Sequence, residues 1–339
     1  MDKIVTIKDI ARKFNCSPST VSRALNDHPS INQFTRKHIQ KYALEVGYRK
    51  NKTAINFQKS KTKMVGVIMP YLDGYFNSSV LDGMQRQLEP QGYSINIFLS
   101  YDRFDAEVTY IDKLIENNTD GIFIALSKET QSYQKIELIK QRNIPLVLFD
   151  RVCDFSAHKV HVDQYAGAKL ATKHLIDMGC QKIAHIAGPS GLLSSKSRLR
   201  GYLDTLKEGN LLVKDELIKT AGFNAWSGVY PTEQLFRLPE PPDGIFAAND
   251  YVAIAIVHTL RKLGLRVPQD VAVIGFDNDP RTAFLNPTLS TIEQPANVLG
   301  EEVARIFRQE INHVGENHFE TQEIVLPPQL IIRESTIRI

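Results

Sequence analysis

Apolar residues recur with two rhythms along this chain, and the change from one to the other near residue 64 divides it. Before that point the spacing is helical. Ile7, Ile10, Ala11 and Phe14 repeat at i, i+3, i+4 and i+7 and so share one helix face, with Thr6 placed to cap it. Asn15 and Cys16 break the pattern. Ser17 and Pro18 then predict a second helix, capped by the serine and opened by a proline whose missing N–H costs nothing in the first turn. Its buried side is Val21, Ala24 and Leu25. Ser19, Thr20, Ser22, Arg23 and Asn26 face outward as short donors and acceptors around one arginine, which suits the major groove of DNA. Asn32 caps a third helix, in which Ile39, Tyr42, Ala43 and Val46 keep helical spacing until Gly47 ends it.

Beyond residue 64, short apolar runs alternate with amphipathic stretches. MVGVIMP, YSINIFLS, GIFIAL and IPLVLFD read as strands with helices around 80–88, 107–115 and 133–140, which predicts a parallel sheet covered on both faces. Around His158 the series restarts with HKVHVD, KIAHIAGP, GIFAAND and VAVIGFDN, and with helices near 166–178, 197–208 and 252–263. A second sheet follows. The remaining STIEQP, a helix at about 296–312 and EIVLPPQLIIRES hold too few strands for a third. Ligands of open parallel sheets sit beyond the carboxyl ends of the strands. By position, the candidates are Asp150 and Arg151, Asn249, and Asp277, while Asp250 reads as the cap of the following helix.

Composition excludes several classes. A chain of 339 residues that is 42% hydrophobic is long and apolar enough for two or three domains rather than disorder. It has no apolar run of bilayer length, and its N-terminus lacks a signal peptide's apolar segment, so a cytoplasmic protein without membrane contact is expected. Cys16, Cys153 and Cys180 fit neither a disulfide framework nor a metal knuckle. Charge is unevenly placed: residues 1–63 hold 14 Lys and Arg against 4 Asp and Glu, net +10, and the remainder 27 against 34, net −7. The basic end is the polyanion end. No phosphate loop, dinucleotide fingerprint or nucleophile elbow occurs. His158 and His161 bracket a strand on opposite faces, and Asp277 and Asp279 lack a matched acid, base or nucleophile nearby. Neither an enzyme, a cofactor nor a metal site is expected.

TIKDIA at 6–11, the S-x-x-TVSRALN run ending at Asn26 and the stretch 48–70 together resemble the LacI/GalR family of bacterial transcription regulators, and the resemblance covers essentially the whole chain. It implies a three-helix helix-turn-helix head at 1–50, a hinge helix at 51–63, and a two-lobed α/β domain like periplasmic binding proteins, with parallel sheets, at 64–339. The first lobe would take about 64–160 and 290–320, and the second about 161–289 and 321–339. It further implies a repressor that binds a pseudo-palindromic operator as a homodimer. Thr6, Ser17, Pro18, Asn32, Tyr48, Lys50, Asn51, Ala54 and Phe57 then join the outward face of the second helix as DNA contacts. Three hinge positions depart from the family: Phe57 stands where a leucine wedges the minor groove, Lys50 where a proline is usual, and Ile55 where an arginine is usual. An aromatic wedge can unstack a base step as an aliphatic one does.

For the cleft, the resemblance selects Arg198 in SRLRG as the grip on an effector, Phe223 in AGFNAWSG as one wall, Tyr75 and Phe76 as the other, and Gln294 at a crossing between lobes. A guanidinium beside carboxylates and an amide suits vicinal hydroxyls, and aromatic faces suit the apolar side of a sugar ring. A sugar or sugar derivative is therefore expected, controlling the operator by changing the angle between lobes. Two alternatives stay open. One is a corepressor-dependent regulator with a purine-like or phosphorylated ligand. The other is a sugar-binding protein without a DNA role, against which residues 1–60 speak. The tail IIRESTIRI carries no long heptad pattern, which favours a dimer over a tetramer.

Overall fold

The computed structural model describes residues 5–48, 61–224, 226–312 and 320–338. The chain divides into two compact units at Thr62. Lys50, Asn51, Ala54 and Phe57, with nearly all of the expected hinge helix, lie outside the described residues.

The first unit contains α1 (Ile7–Lys13), α2 (Pro18–Leu25) and α3 (Gln33–Glu45). Ile10, Ala11, Val21, Ala24, Ile39 and Ala43 are buried at their meeting point, with Ile7, Phe14, Leu25 and Tyr48 packed around them. The turn between α1 and α2 needs Asn15 in a left-handed conformation, which asparagine tolerates better than most residues. Gly47 takes the same conformation after α3. Gln40 on α3 fastens the end of α2 by donating to Ala24 O and Asp27 Oδ1, both at 3.0 Å.

The second unit holds two six-stranded sheets. The first contains β1 (Met64–Met69), β2 (Ser94–Leu99), β3 (Gly121–Ile124), β4 (Leu146–Phe149), β5 (His158–Val162) and β11 (Glu323–Leu326), all parallel, in the order β11-β5-β4-β3-β1-β2. The second contains β6 (Ile183–Ala187), β7 (Ile218–Thr220), β8 (Gly244–Ala247), β9 (Ala272–Asp277), β10 (Ser290–Glu293) and β12 (Gln329–Ile331), in the order β12-β10-β9-β8-β6-β7. Only β12 runs antiparallel, against β10.

Helices cover both faces of each sheet. In the first lobe these are α4 (Tyr75–Leu88), α5 (Phe104–Glu116), α6 (Gln134–Gln141) and the late α11 (Ala296–Asn312); in the second, α7 (Gln164–Asp177), α8 (Leu193–Glu208), α9 (Val229–Leu235) and α10 (Asp250–Lys262). Helices α4 and α11 cross so closely that a Cβ on Gly300 would lie 2.0 Å from Val80 O, and one on Gly83 2.1 Å from Asn297 O. Only glycine fits there. The pair buries Val80, Met84, Leu299, Val303 and Phe307 against the first sheet.

The chain passes between lobes three times, after β5, after β10 and between β11 and β12. This corrects the expected lobe boundaries. Residues 290–293 belong to the second lobe's sheet rather than the first, β11 belongs to the first although 321–339 is expected in the second, and β5 closes the first series instead of opening the second. The cause is general: a short apolar parallel strand carries no mark of the sheet it joins. Two helices also start earlier than their apolar spacing indicates, α4 at Tyr75 and α8 at Leu193. In these first turns Tyr75 and Phe76 of α4 and Ser194 of α8 border the cleft between the lobes.

Candidate functional site

On the head, the start of α2 is a knot of hydroxyls. Ser17 Oγ accepts from Thr20 N at 3.1 Å and lies 2.6 Å from Ser19 Oγ and 2.9 Å from Thr20 Oγ1. Ser19, Arg23 and Asn26 are exposed, whereas Thr20 and Ser22 are half-buried. Thr6 caps α1 and donates its N–H and hydroxyl to Asp9 Oδ2 at 3.0 and 2.6 Å. Asn32 caps α3 by accepting from Phe34 N at 2.8 Å. Tyr48 packs on the head's core. The caps fix where each helix begins, and the outer side of α2 presents the exposed Ser19 and Arg23 side chains.

Between the lobes lies a cavity of about 360 Å³. Tyr75, Phe76, Asp150, Arg151, Arg198, Phe223, Asn249, Asp277 and Gln294 all line it. Most reach it by following a strand end or opening a helix, whereas Arg198 reaches it from the second turn of α8. Two of the carboxylates sit on strained backbone: φ is 55° at Asp150 and 120° at Asp277, a region that residues with a Cβ avoid. A second cavity, of about 440 Å³, adjoins the first and shares Lys128, Asp150, Arg151 and Ser194 with it.

Arg198 is buried in α8. Its Nε donates to Gln164 Oε1 at 2.8 Å, its Nη1 donates to Ala248 O, and the guanidinium lies 3.8 Å from the centroid of the Phe276 ring. Among the described residues Arg198 makes no hydrogen bond to a carboxylate: burial lowers its affinity for the proton, and Asp277 and Asp150 oppose this through space. Nη2 has no partner among the described residues. Asp277 accepts from Gln294 Nε2 at 2.7 Å. Burial pushes its carboxyl up to about 7, against the pull of Arg198 and the Gln294 bond. Asp150, which accepts no hydrogen bond among the described residues, is raised by burial, with Arg151 and Arg198 opposing.

Other residues prove to be supports. Arg151 Nη1 is bound to Asp102 Oδ1 at 2.5 Å, and Asp102 also accepts from Lys128 N at 3.0 Å. Asn249, not Asp250, caps α10 by accepting from Val252 N at 3.0 Å; its Nδ2 donates to Phe223 O at 3.1 Å and so holds that wall in place. Asp250 is the helix's first residue. It is buried, accepts from Thr291 Oγ1 and Asp279 N at 2.7 Å each, and is held well above the ordinary carboxylate range by burial and by Asp277. The cap prediction fails by one residue because either side chain can accept from a first-turn N–H. Trp226 stands exposed on the lip beyond Phe223, its backbone N–H donating to Asn224 Oδ1 at 3.1 Å.

Sequence reasoning missed Asp102, Lys128, Tyr251 and Asp279 in the cavity lining. Asp102 was within reach, since it follows β2 as Asp150 follows β4. Buried Glu107 also escaped notice; it accepts from Ser127 N at 2.8 Å and Thr130 Oγ1 at 2.9 Å, pinning the loop that carries Lys128. No cluster of side chains that could hold a metal ion occurs among the described residues, and no helix among them is long and apolar enough to cross a membrane.

Comparison with known proteins gives the following. The family description "Bacterial regulatory proteins, lacI family" matches residues 6–51, and "Periplasmic binding protein-like domain" matches 172–336. The HTH-type transcriptional repressor CytR of Escherichia coli K12 is 31% identical over 335 residues, spanning 98% of this chain and 96% of CytR. The ribose operon repressor of Bacillus subtilis 168 is 31% identical over 303 residues, 89% of this chain and 90% of that protein. Among solved structures, the lac repressor dimer bound to operator and the anti-inducer ONPF superposes with a TM-score of 0.87, covering 99% of this chain and 100% of that one at 23% identity.

Proposed function

Since this chain belongs to the lacI family of bacterial regulatory proteins and is a DNA-binding transcriptional repressor rather than an enzyme, we propose that it grips a two-half-site operator as a dimer and releases it when a small polyhydroxylated effector occupies the interlobe cavity. One head reads one half-site, so the twofold symmetry of the protein is matched by a pseudo-palindrome in the DNA. Ser19, Arg23 and Asn26 address base edges, while the surrounding lysines and arginines address phosphate.

The observation that carries the effector reading is the pairing of an open donor edge on Arg198 with open acceptors on Asp150 and Asp277 in one cavity. Adjacent hydroxyls satisfy both kinds of group at once. A phosphate supplies acceptors only and would leave the carboxylates without donors, which favours an uncharged sugar or sugar derivative over a phosphorylated ligand. Phe223, Tyr75 and Phe76 offer faces for the apolar side of the ring. A relative named for a ribose operon fits this class. The effector acts by binding one lobe arrangement better than the other.

The test is selection of bound duplexes from a randomised pool by the full chain at moderate salt, repeated with a panel of free sugars, sugar phosphates and nucleosides. The expected result is an enriched palindrome that is lost with a free sugar. Enrichment strengthened by a ligand would reverse the sign of the switch, and a response to nucleosides or phosphates alone would replace the sugar.

A further inference from the structure

Two buried amides stand between Arg198 and Asp277. Arg198 Nε donates to Gln164 Oε1 (2.8 Å), Gln164 Nε2 donates to Gln294 Oε1 (2.9 Å), and Gln294 Nε2 donates to Asp277 Oδ1 (2.7 Å). Shape alone does not say which end of a glutamine amide is oxygen. Here the chemistry of the two termini does. A guanidinium N–H can only donate, so it requires the oxygen of Gln164. The nitrogen of Gln164 must then meet the oxygen of Gln294, which turns the nitrogen of Gln294 onto Asp277. Asp277 accepts at Oδ1 whether or not Oδ2 carries a proton, so the direction of the chain is the same in both states.

The positions matter as much as the polarity. Gln164 opens α7, directly after the chain has crossed from the first lobe, and Gln294 follows β10, where the chain is about to cross back. Gln164 borders the second cavity, and the other three residues border the first. Both amides are buried, so neither can exchange its partner for bulk water at small cost.

We propose that Gln164 is a positioning residue of the effector site. It orients the open edge of Arg198 directly and the open oxygen of Asp277 through Gln294, and it ties both to two of the three crossings. The assignment rests on reading Arg198 and Asp277 as effector groups. Occupancy of the cavity is thereby felt where the lobes are joined, without any contact between effector and Gln164.

The test needs no effector. The full chain is labelled with 15N at arginine Nε and 13C at aspartate carboxyls; Arg198→Lys and Asp277→Asn identify the two signals. Gln164→Leu deletes the acceptor for Arg198 but leaves Gln294 donating to Asp277. The Arg198 Nε–H should then exchange roughly tenfold faster or more, while the Asp277 titration midpoint stays near its wild-type value. Gln164→Glu keeps the acceptor for Arg198 but cannot donate. Gln294 must turn, its oxygen faces Asp277, and the midpoint should rise by about one unit or more.

The charge introduced by Gln164→Glu acts through space as well, so the same change is made in a Gln294→Leu background, where the chain of amides is already cut. There the rise should be much smaller. Equal rises in both backgrounds, or a Leu variant in which Arg198 Nε–H exchange is unchanged, would overturn the proposal. Should the Leu variant fail to fold, the Gln164→Glu arm with its background control still decides. A sugar panel that never binds would remove the effector reading and leave these values untouched.

Discussion

Each lobe aims one arginine at the cleft, and the two are treated differently. Arg151 in the first lobe is bound directly to Asp102 at 2.5 Å, with both side chains largely buried. Arg198 in the second is fastened by neutral partners, the Gln164 amide, the Ala248 carbonyl and the Phe276 ring, while Asp150 and Asp277 make no hydrogen bond to it. A direct ion pair satisfies charge and hydrogen-bonding capacity together and yields a wall. An arginine held by neutral groups keeps its charge and one free edge for something that arrives later. On the proposed reading, recognition would fall on the second lobe together with Asp150, and the first lobe would supply a stiff wall opposite.

On that contrast, breaking the first-lobe pair should cost stability above all. Arg151→Met should lower it by about 3 kcal/mol because Asp102 is left buried and uncompensated. A double-mutant cycle with Asp102→Asn should show strong coupling, and additive effects would dissolve the distinction. The matching change in the second lobe, Arg198→Met, should act mainly on response: effector affinity should fall roughly a hundredfold, near 2.7 kcal/mol, with operator affinity retained. An intact response would move the ligand elsewhere.

Asp277 sharpens the contrast through pH. With its carboxyl near 7 in the folded chain and at an ordinary 3.8 otherwise, the folded state holds the proton more tightly. Stability therefore falls as pH rises through that window, and the penalty is complete above 7. Asp277→Asn should be more stable than the parent at pH 8 by on the order of 1 to 2 kcal/mol, with the gap closing toward pH 4. Denaturant titrations at both pH values decide it; a gap that widened on acidification would mean the carboxylate is stabilised after all. The smallest expected effect is that of Glu107→Gln, which keeps an acceptor for the Ser127 loop and should cost less than about 1 kcal/mol. A larger loss, seen in thermal melts, would mean that the charge itself holds the first-lobe wall.

Much of this was readable in the residues because it is local. Ser17 before Pro18, Asn32 before its helix and Gly47 after it are caps whose reason lies within a few positions. The rule that ligands gather at strand ends points to Asp150 and Asp277, and by the same logic to Asp102, all of which line the cavity. What stayed hidden depends on chain that is distant in sequence. Nothing in STIE or EIVL tells which sheet the strand completes, and nothing at Gln164 announces a partner 130 positions away. Arg198 was legible as a cleft residue, but the neutral groups that hold it were not, since a backbone carbonyl and a ring face have no motif. The first turns of α4 and α8 were hidden because Tyr75 and Ser194 border the cleft and so do not continue the core-facing period.

The chain contains a single tryptophan. Trp226 sits on the lip next to Phe223 and Asn224, with its indole mostly in water. Any ligand that orders this lip changes the surroundings of the one strong chromophore in the protein, so its emission should shift toward the blue on occupancy. The cleft therefore carries its own optical reporter, and the head and the first lobe contribute no tryptophan background to it.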